Sequence, residues 1–125
     1  VPSSAGAEVY EHITGKKGRP SREYLFNPAN NIEYGAAYLH LLARRYFNNI
    51  KNPASRELCT IAAYNGGPNA VLKSFAPNSE AAIKKINSMS SKEVYRHLVF
   101  KLPSSETRRY VDKVLASLGT FTAKQ

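Results

Sequence analysis

A helix that is forced to stop constrains this chain more than any other feature. The stretch Ala62–Pro68 reads Ala-Ala-Tyr-Asn-Gly-Gly-Pro and follows residues with helical apolar spacing. Glycine adopts backbone angles that other residues avoid, and proline cannot donate the next hydrogen bond of a helix. The sequence therefore predicts a helix end here, with Tyr64 and Asn65 in or just beyond the last turn. Their side chains suit a pocket wall, and the missing glycine side chains would let a ligand approach the backbone. An ordinary glycine-capped helix end is the alternative.

Length and charge narrow the class of protein. A chain of 125 residues is long enough for one domain with a real core. No apolar run approaches the roughly 18 residues that a membrane-spanning helix needs. The formal net charge of +9 favours an anionic partner, such as nucleic acid, anionic lipid or a cell-wall polymer. Because the basic residues are scattered, a general cationic surface is favoured over a patch that reads nucleic acid.

Helix-start signals recur along the chain, whereas no alternating strand pattern or internal repeat is present, so the predicted fold class is all-α. The signals are an asparagine followed by proline at Asn27 and Asn52, a capping box over Ser90–Glu93 and a serine cap after Pro103. We expect a helix ending before Gly15, a long helix over about 31–47, one leading from Asn52 into the opening motif, short helices over 69–75 and 79–86, and two more after Ser90 and Ser104.

The long helix over 31–47 carries small and apolar residues at alternating spacings of three and four, which predicts one buried face. These residues are Ile32, Gly35, Leu39, Leu42 and Tyr46. Gly35 and the alanines beside it would also let a second helix approach closely, which accounts for a glycine inside a helix.

Few side chains offer independent catalytic or metal-binding chemistry. Cys59 has no thiol-protease signature around it, so we expect a small core residue. His97 has no second ligand-type residue at helical spacing, so a structural role is expected. Glu93 is expected to complete the capping box. No His, Asp or Glu group has the spacing of a metal site, and no phosphate or dinucleotide loop is present, so no metal or cofactor is predicted.

Three ordered motifs resemble a known family. They are N-P-x-x-N-I-x-x-G-x-x-Y-L from Asn27, A-Y-N-G-G from Ala63 and E-T-R-R-Y-V from Glu106. In this order and at these separations they resemble the lytic transglycosylase (SLT, lysozyme-like) domain, most closely its membrane-bound type C. The resemblance covers nearly the whole chain, and three motifs together are far more specific than A-Y-N-G-G alone.

The resemblance implies a lysozyme-like helical fold and an enzyme of the bacterial cell wall. Such enzymes cleave the β-1,4 bond between N-acetylmuramic acid and N-acetylglucosamine in peptidoglycan without water, and leave a 1,6-anhydromuramoyl product. One glutamic acid with a raised pKa protonates the leaving oxygen and then, as a carboxylate, removes the proton of the C6 hydroxyl. Because a single acid performs both steps, no paired carboxylate is required. The implied location is the periplasm, at the outer membrane.

The resemblance also implies roles for individual residues. Tyr64 and Tyr110 would support the catalytic acid, while Asn65, Gly66, Gly67 and Glu106 would contact substrate or hold the cleft. A half-buried core tyrosine is the alternative for Tyr110, and the acidic first turn of a helix is the alternative for Glu106.

The catalytic acid itself is expected to lie outside this sequence. In the family it belongs to an E-S motif that is followed by G-L-M-Q, and the first residues here resemble the helix start that comes next. We therefore expect 1–125 to be the C-terminal portion of the domain, inactive by itself, and no glutamate in it takes the acid's role. The alternatives are a non-catalytic peptidoglycan-binding module and a basic helical domain that binds nucleic acid.

Overall fold

The chain folds into helices joined by short connections. The computed structural model describes residues 3–18, 20–21, 23–24 and 27–117, and this part contains no β-strand, which confirms the predicted all-α class. The helices are α1 (Ser3–Thr14), α2 (Pro28–Tyr46), α3 (Pro53–Gly66), α4 (Pro68–Phe75), α5 (Ser79–Asn87), α6 (Ser91–Phe100) and α7 (Ser105–Ser117). In the part of the chain that the structure describes, no helix has both the length and the hydropathy to cross a membrane.

The asparagine–proline signals start two of these helices. Asn27 Oδ1 accepts hydrogen bonds from the backbone amides of Ala29 (3.0 Å) and Asn30 (3.3 Å), and Asn52 caps α3 in the same way. The long helix therefore begins at Pro28, earlier than the expected start near residue 31. The reason is that proline suits the first helical position, where its missing N–H would have no partner within the helix.

The capping box at the start of α6 is confirmed. Ser90 Oγ accepts from the Glu93 amide (3.1 Å), and Glu93 Oε1 accepts from the Ser90 amide (3.0 Å). The hydrogen bond from the Ser90 backbone is the main cause that lowers the pKa of the Glu93 carboxyl. Glu93 thus serves the helix start, as predicted.

α3 is the central helix of the fold. It packs against α2, α4, α6 and α7, while α1 packs on α2 and α5 packs on α4. Cys59 lies in the middle of α3 and is fully buried, so the predicted core position is confirmed, and burial raises the pKa of its thiol to about 12. Because α2 and α7 both pack on α3, residues at its C-terminal end can meet side chains from distant parts of the sequence.

The buried face of α2 differs from the predicted one. Leu42 is fully buried as expected, but the face runs through Tyr34 and Tyr38, whereas Ile32 is 72% exposed and Leu39 is 37% exposed. The prediction was therefore wrong for Ile32 and Leu39. Tyrosine has a large apolar ring with a polar tip, so tyrosines spaced four apart can form a core face as well as aliphatic residues do.

His97 joins α6 to α4 in a structural role, as predicted. Its ring stacks on Phe75, with centroids 3.7 Å apart and 17° between the planes. Ser74 Oγ lies 2.6 Å from the carbonyl oxygen of Val71 and donates its proton there. The contact of 2.9 Å between Ser74 Oγ and His97 Nε2 is therefore a hydrogen bond donated by the imidazole N–H, so the serine is not activated as a nucleophile.

Candidate functional site

The predicted helix end is confirmed. α3 ends at Gly66, and Gly67 has φ of 88° and ψ of 146°, a conformation that is essentially restricted to glycine. The Gly67 amide donates to a carbonyl oxygen in the last turn of α3 (2.8 Å), and Pro68 opens α4 directly afterwards. Tyr64 and Asn65 therefore lie in the last turn of α3, next to a sharp and fixed change of chain direction.

Tyr64 belongs to a group of aromatic side chains from three helices. Its ring meets Tyr38 edge-on, with centroids 5.4 Å apart, and Tyr38 stacks with Tyr34 at 6.4 Å. Tyr110 of α7 is half-buried, and burial followed by the nearby Tyr64 phenol raises its pKa. We call Tyr34, Tyr38, Tyr64 and Tyr110 the tyrosine cluster. The structure thus brings together Tyr64 and Tyr110, the two residues that the resemblance pairs.

Three members of the tyrosine cluster, Tyr34, Tyr38 and Tyr110, are protonated at neutral pH. Burial, more than the neighbouring phenols, raises the pKa of Tyr38 to about 12 and also raises the pKa of Tyr34 and Tyr110. These hydroxyl groups consequently serve as neutral hydrogen-bonding groups and not as bases.

Asn65 is tied to α7 by Thr107, for which no separate role was predicted. Thr107 Oγ1 donates to Asn65 Oδ1 at 2.8 Å. The same side chain fills the space beside Gly66, where an added Cβ would lie 2.8 Å from Thr107 Oγ1 and 3.1 Å from its Cγ2. The room at Gly66 is therefore used by the protein, where the sequence had suggested a ligand. The only signal for Thr107 was its place inside the E-T-R-R-Y-V motif.

Gly35 leaves room for a side chain in the same way, here for that of Tyr64. A Cβ added to Gly35 would lie 3.2 Å from the Tyr64 hydroxyl oxygen. The space beside Gly35 is therefore occupied by the end of the Tyr64 side chain from α3, whereas the close approach of a second helix stays a prediction. Gly35 and Gly66 thus leave room for the side chains of Tyr64 and Thr107, respectively.

No glutamate of this chain is in the environment of a general acid. Glu106 is exposed in the first turn of α7. The remaining glutamates are exposed as well, except Glu8, which is half-buried and forms an ion pair with Arg45. A carboxyl group needs burial or a neighbouring negative charge to hold its proton at neutral pH. Within the described ranges, no three His, Cys, Asp or Glu side chains are arranged to hold a metal ion either.

The Tyr38 hydroxyl is a buried polar group that has no hydrogen-bond partner among the described residues. An unpaired buried hydroxyl destabilises a fold by about 1–3 kcal/mol. We therefore expect Tyr38→Phe, which keeps the ring and removes the hydroxyl, to raise the free energy of unfolding by about 1 kcal/mol. Urea denaturation at neutral pH measures the change.

Tyr34→Phe is the matched control for this prediction. Tyr34 is buried on the same helix face, but its hydroxyl is not among the buried unpaired atoms. Its removal should change stability by less than about 0.5 kcal/mol. A clear loss of stability in Tyr38→Phe would contradict the prediction, because it would show that the hydroxyl has a partner in solution.

Comparison with known proteins shows the family to which this chain is similar. Residues 8–87 match the family described as "Transglycosylase SLT domain". Curated proteins named membrane-bound lytic murein transglycosylase C are similar over almost the whole chain. The Pectobacterium atrosepticum protein is 46% identical over 114 residues, which cover 91% of this chain and 32% of that protein. The Haemophilus influenzae protein is 46% identical over 125 residues, which cover 100% of this chain and 35% of that protein. The Yersinia enterocolitica protein is 45% identical over 121 residues, which cover 97% of this chain and 34% of that protein. The chain thus spans about a third of the length of these relatives.

Proposed function

Because this chain belongs to the transglycosylase SLT domain family, we propose that it is part of a peptidoglycan lytic transglycosylase. The proposed reaction cleaves the β-1,4 bond between N-acetylmuramic acid and N-acetylglucosamine and closes the muramoyl C6 hydroxyl onto C1, so that no water is consumed. The relatives carry the name of such an enzyme as whole proteins. For this chain the reaction, its substrate and its partners are therefore proposals.

One observation carries the proposal. Two motifs that are far apart in the sequence meet at the end of α3, where Thr107 bonds to Asn65 and Tyr110 lies near the Tyr64 phenol. Phenols and a carboxamide at one place are suited to hold the hydroxyl and acetamido groups of a glycan. Gly66 and Gly67 support this arrangement through the backbone, and exposed Glu106 stands beside it in the first turn of α7.

The catalytic acid in this proposal is not a glutamate of the described chain, since none of them is buried. The acid must donate a proton to the leaving oxygen and then accept one from the C6 hydroxyl, which requires a pKa near the working pH. The residues of this chain would bind the glycan and orient groups beside that acid. The half-buried members of the tyrosine cluster, Tyr64 and Tyr110, would also keep water from the reacting bond on their side of the cleft.

Charge and location fit this substrate. The net charge of +9 attracts polymers with carboxylates, and the peptide stems of peptidoglycan carry them. The relatives are membrane-bound by name, and peptidoglycan lies in the periplasm. We propose a periplasmic protein held at the outer membrane, with peptidoglycan strands as its partner and no nucleic acid.

The test is digestion of purified peptidoglycan sacculi. The complete reading frame that encodes this chain should release muropeptides with 1,6-anhydro ends, which mass spectrometry distinguishes from hydrolysed ends by the mass of one water. The 125-residue chain alone should bind the sacculi but not cleave them, because its glutamates are exposed apart from Glu8, which is half-buried and paired with Arg45.

The controls separate cleavage from binding. Tyr64→Ala should weaken sedimentation of the chain with sacculi at low salt, whereas Phe100→Ala, a large exposed side chain on α6, should leave it unchanged. If the complete protein released muropeptides with hydrolysed ends and none with 1,6-anhydro ends, the transglycosylase reaction would be ruled out. Retention of both proteins without any cleavage would favour the second candidate function, a non-catalytic peptidoglycan-binding module.

A further inference from the structure

We propose that Thr107 is a positioning residue that makes the Asn65 side chain a pure hydrogen-bond donor toward the glycan. A carboxamide has an oxygen that accepts and a nitrogen that donates, and it can present either of them to a ligand. In the structure the oxygen of Asn65 is taken by Thr107 Oγ1 at 2.8 Å. The inference rests on the proposed function, because it concerns the same site.

The burial of Thr107 decides the direction of this hydrogen bond. Thr107 is only 3% exposed, so its hydroxyl proton needs an acceptor from the protein. Among the described residues, Asn65 Oδ1 is the acceptor that this hydroxyl has. With the carboxamide rotated by half a turn, its nitrogen would face Thr107, and the Thr107 hydroxyl proton would lose the acceptor that it has in this structure. The bonded orientation is therefore preferred by the energy of the hydrogen bond that this buried hydroxyl donates.

Gly66 holds the threonine in that place. A side chain at residue 66 would enter the volume of Thr107, since an added Cβ would lie 2.8 Å from its Oγ1. Gly66, Thr107 and Asn65 thus form one packed unit, which we call the Thr107 lock. The lock joins the A-Y-N-G-G motif to the E-T-R-R-Y-V motif.

The consequence is a specific kind of recognition. Asn65 is half-buried, and its amide nitrogen makes no hydrogen bond within the described part of the chain and is not one of the buried unpaired atoms. Its two N–H groups are left to point at an acceptor oxygen of the substrate. In an N-acetylated glycan these acceptors are the acetamido carbonyl and the ring hydroxyl oxygens.

The first experiment removes the hydroxyl of Thr107 in the complete protein. Thr107→Val keeps the shape of the side chain without its O–H, and Thr107→Ser keeps the O–H. Binding of the N-acetylglucosamine tetramer, measured by calorimetry, should weaken about tenfold in Thr107→Val and about twofold or less in Thr107→Ser. In turnover of soluble glycan strands, the loss in Thr107→Val should appear in KM with kcat nearly unchanged. Parent-like binding by a folded Thr107→Val would overturn the inference.

The second experiment tests the direction of the hydrogen bond. Asn65→Asp retains an oxygen that accepts from Thr107 but has no N–H to offer the glycan. We expect its melting temperature to stay close to that of the parent and its affinity for the tetramer to fall at least tenfold. If Asn65→Asp binds the tetramer as tightly as the parent, Asn65 does not act as a donor and the inference is wrong.

A third readout does not depend on glycan binding or activity. The Asn65 side-chain amide should be rigid by ¹⁵N relaxation in the parent and in Thr107→Ser, and mobile in Thr107→Val. If the parent neither binds nor cleaves glycan, the proposed function fails, and this readout alone decides whether the Thr107 lock orients Asn65. An amide that is equally rigid in all three proteins would overturn the lock.

The identity of the acceptor follows from a second probe, the tetramer without its acetyl groups. A penalty for Thr107→Val that is seen only with the acetylated tetramer assigns the acceptor to the acetamido carbonyl. An equal penalty with both tetramers assigns it to a hydroxyl oxygen. Either result supports a donor at Asn65, whereas no penalty with either probe contradicts it.

Discussion

Lowering the pH from 6.5 to 4 should remove about 3 kcal/mol of the free energy of unfolding through His97 alone. Burial is the main cause that lowers the pKa of His97 to about 4, and the positive charges of Lys85 and Lys101 add to it. In the unfolded chain the imidazole binds its proton near pH 6.5. Between these two values the unfolded state binds more protons than the folded state, so stability falls as the pH falls.

The surroundings of His97 explain why its charged form is disfavoured. The ring is 7% exposed and stacks face to face on Phe75. The charged side chains that act on it, Lys85 at the end of α5 and Lys101 after α6, are both positive. A proton added to the imidazole would therefore be placed in an apolar stack between like charges.

Urea denaturation at a series of pH values tests this prediction. His97→Gln keeps a side-chain N–H donor and removes the titrating group, so it should lose some stability at pH 7 and most of the slope between pH 6.5 and 5. Glu93 does not disturb this interval, because its pKa is lowered from an ordinary value of 4.5 and its contribution is lost only below that. His12→Gln, a change of an exposed histidine, is the control and should retain the slope. A parent-like slope in His97→Gln would contradict the assignment.

Gly66→Ala should lower the free energy of unfolding by about 2 kcal/mol, although alanine is the better helix former. The added methyl group would lie 2.8 Å from Thr107 Oγ1, which is closer than real Cβ atoms come, and 3.1 Å from Thr107 Cγ2, which is tighter than ordinary packing. The threonine side chain is buried, so relief of this contact requires either a rotation about its Cα–Cβ bond or a shift of α7. Either change disturbs the hydrogen bond to Asn65.

A double-mutant cycle isolates this contact. Thr107→Ala removes both crowding atoms, so Gly66→Ala should be at least about 1 kcal/mol less destabilising in that background. Gly35→Ala is the matched control, because among the described residues its Cβ would meet only the Tyr64 hydroxyl at 3.2 Å, the far end of a side chain that can shift. We expect its effect to stay below about 1 kcal/mol. Additive effects of Gly66→Ala and Thr107→Ala in urea denaturation would show that the two residues are not in contact.

Features with a local cause were predictable from the sequence. The end of α3 follows from the conformation of Gly67, and the start of α6 follows from the hydrogen bonds between Ser90 and Glu93. Each depends on residues within one helical turn of each other, so their types alone decide the backbone. The start of α2 was misplaced toward residue 31 for a local reason as well, since Pro28 fits the first position of a helix.

Features that need two helices were decided only by the tertiary structure. The spacing of residues in α2 allows either Ile32 and Leu39 or Tyr34 and Tyr38 to face inward, and the packing of α3 selects the tyrosines. Thr107 has no distinguishing spacing at all; it matters because Gly66 leaves room for it and Asn65 accepts its proton. The sequence by itself thus determined the helices, their caps and the family, because these depend on neighbouring residues and ordered motifs. Which side chains share the site depends on contacts between distant segments, and only the packing of α2 and α7 on the end of α3 decided them.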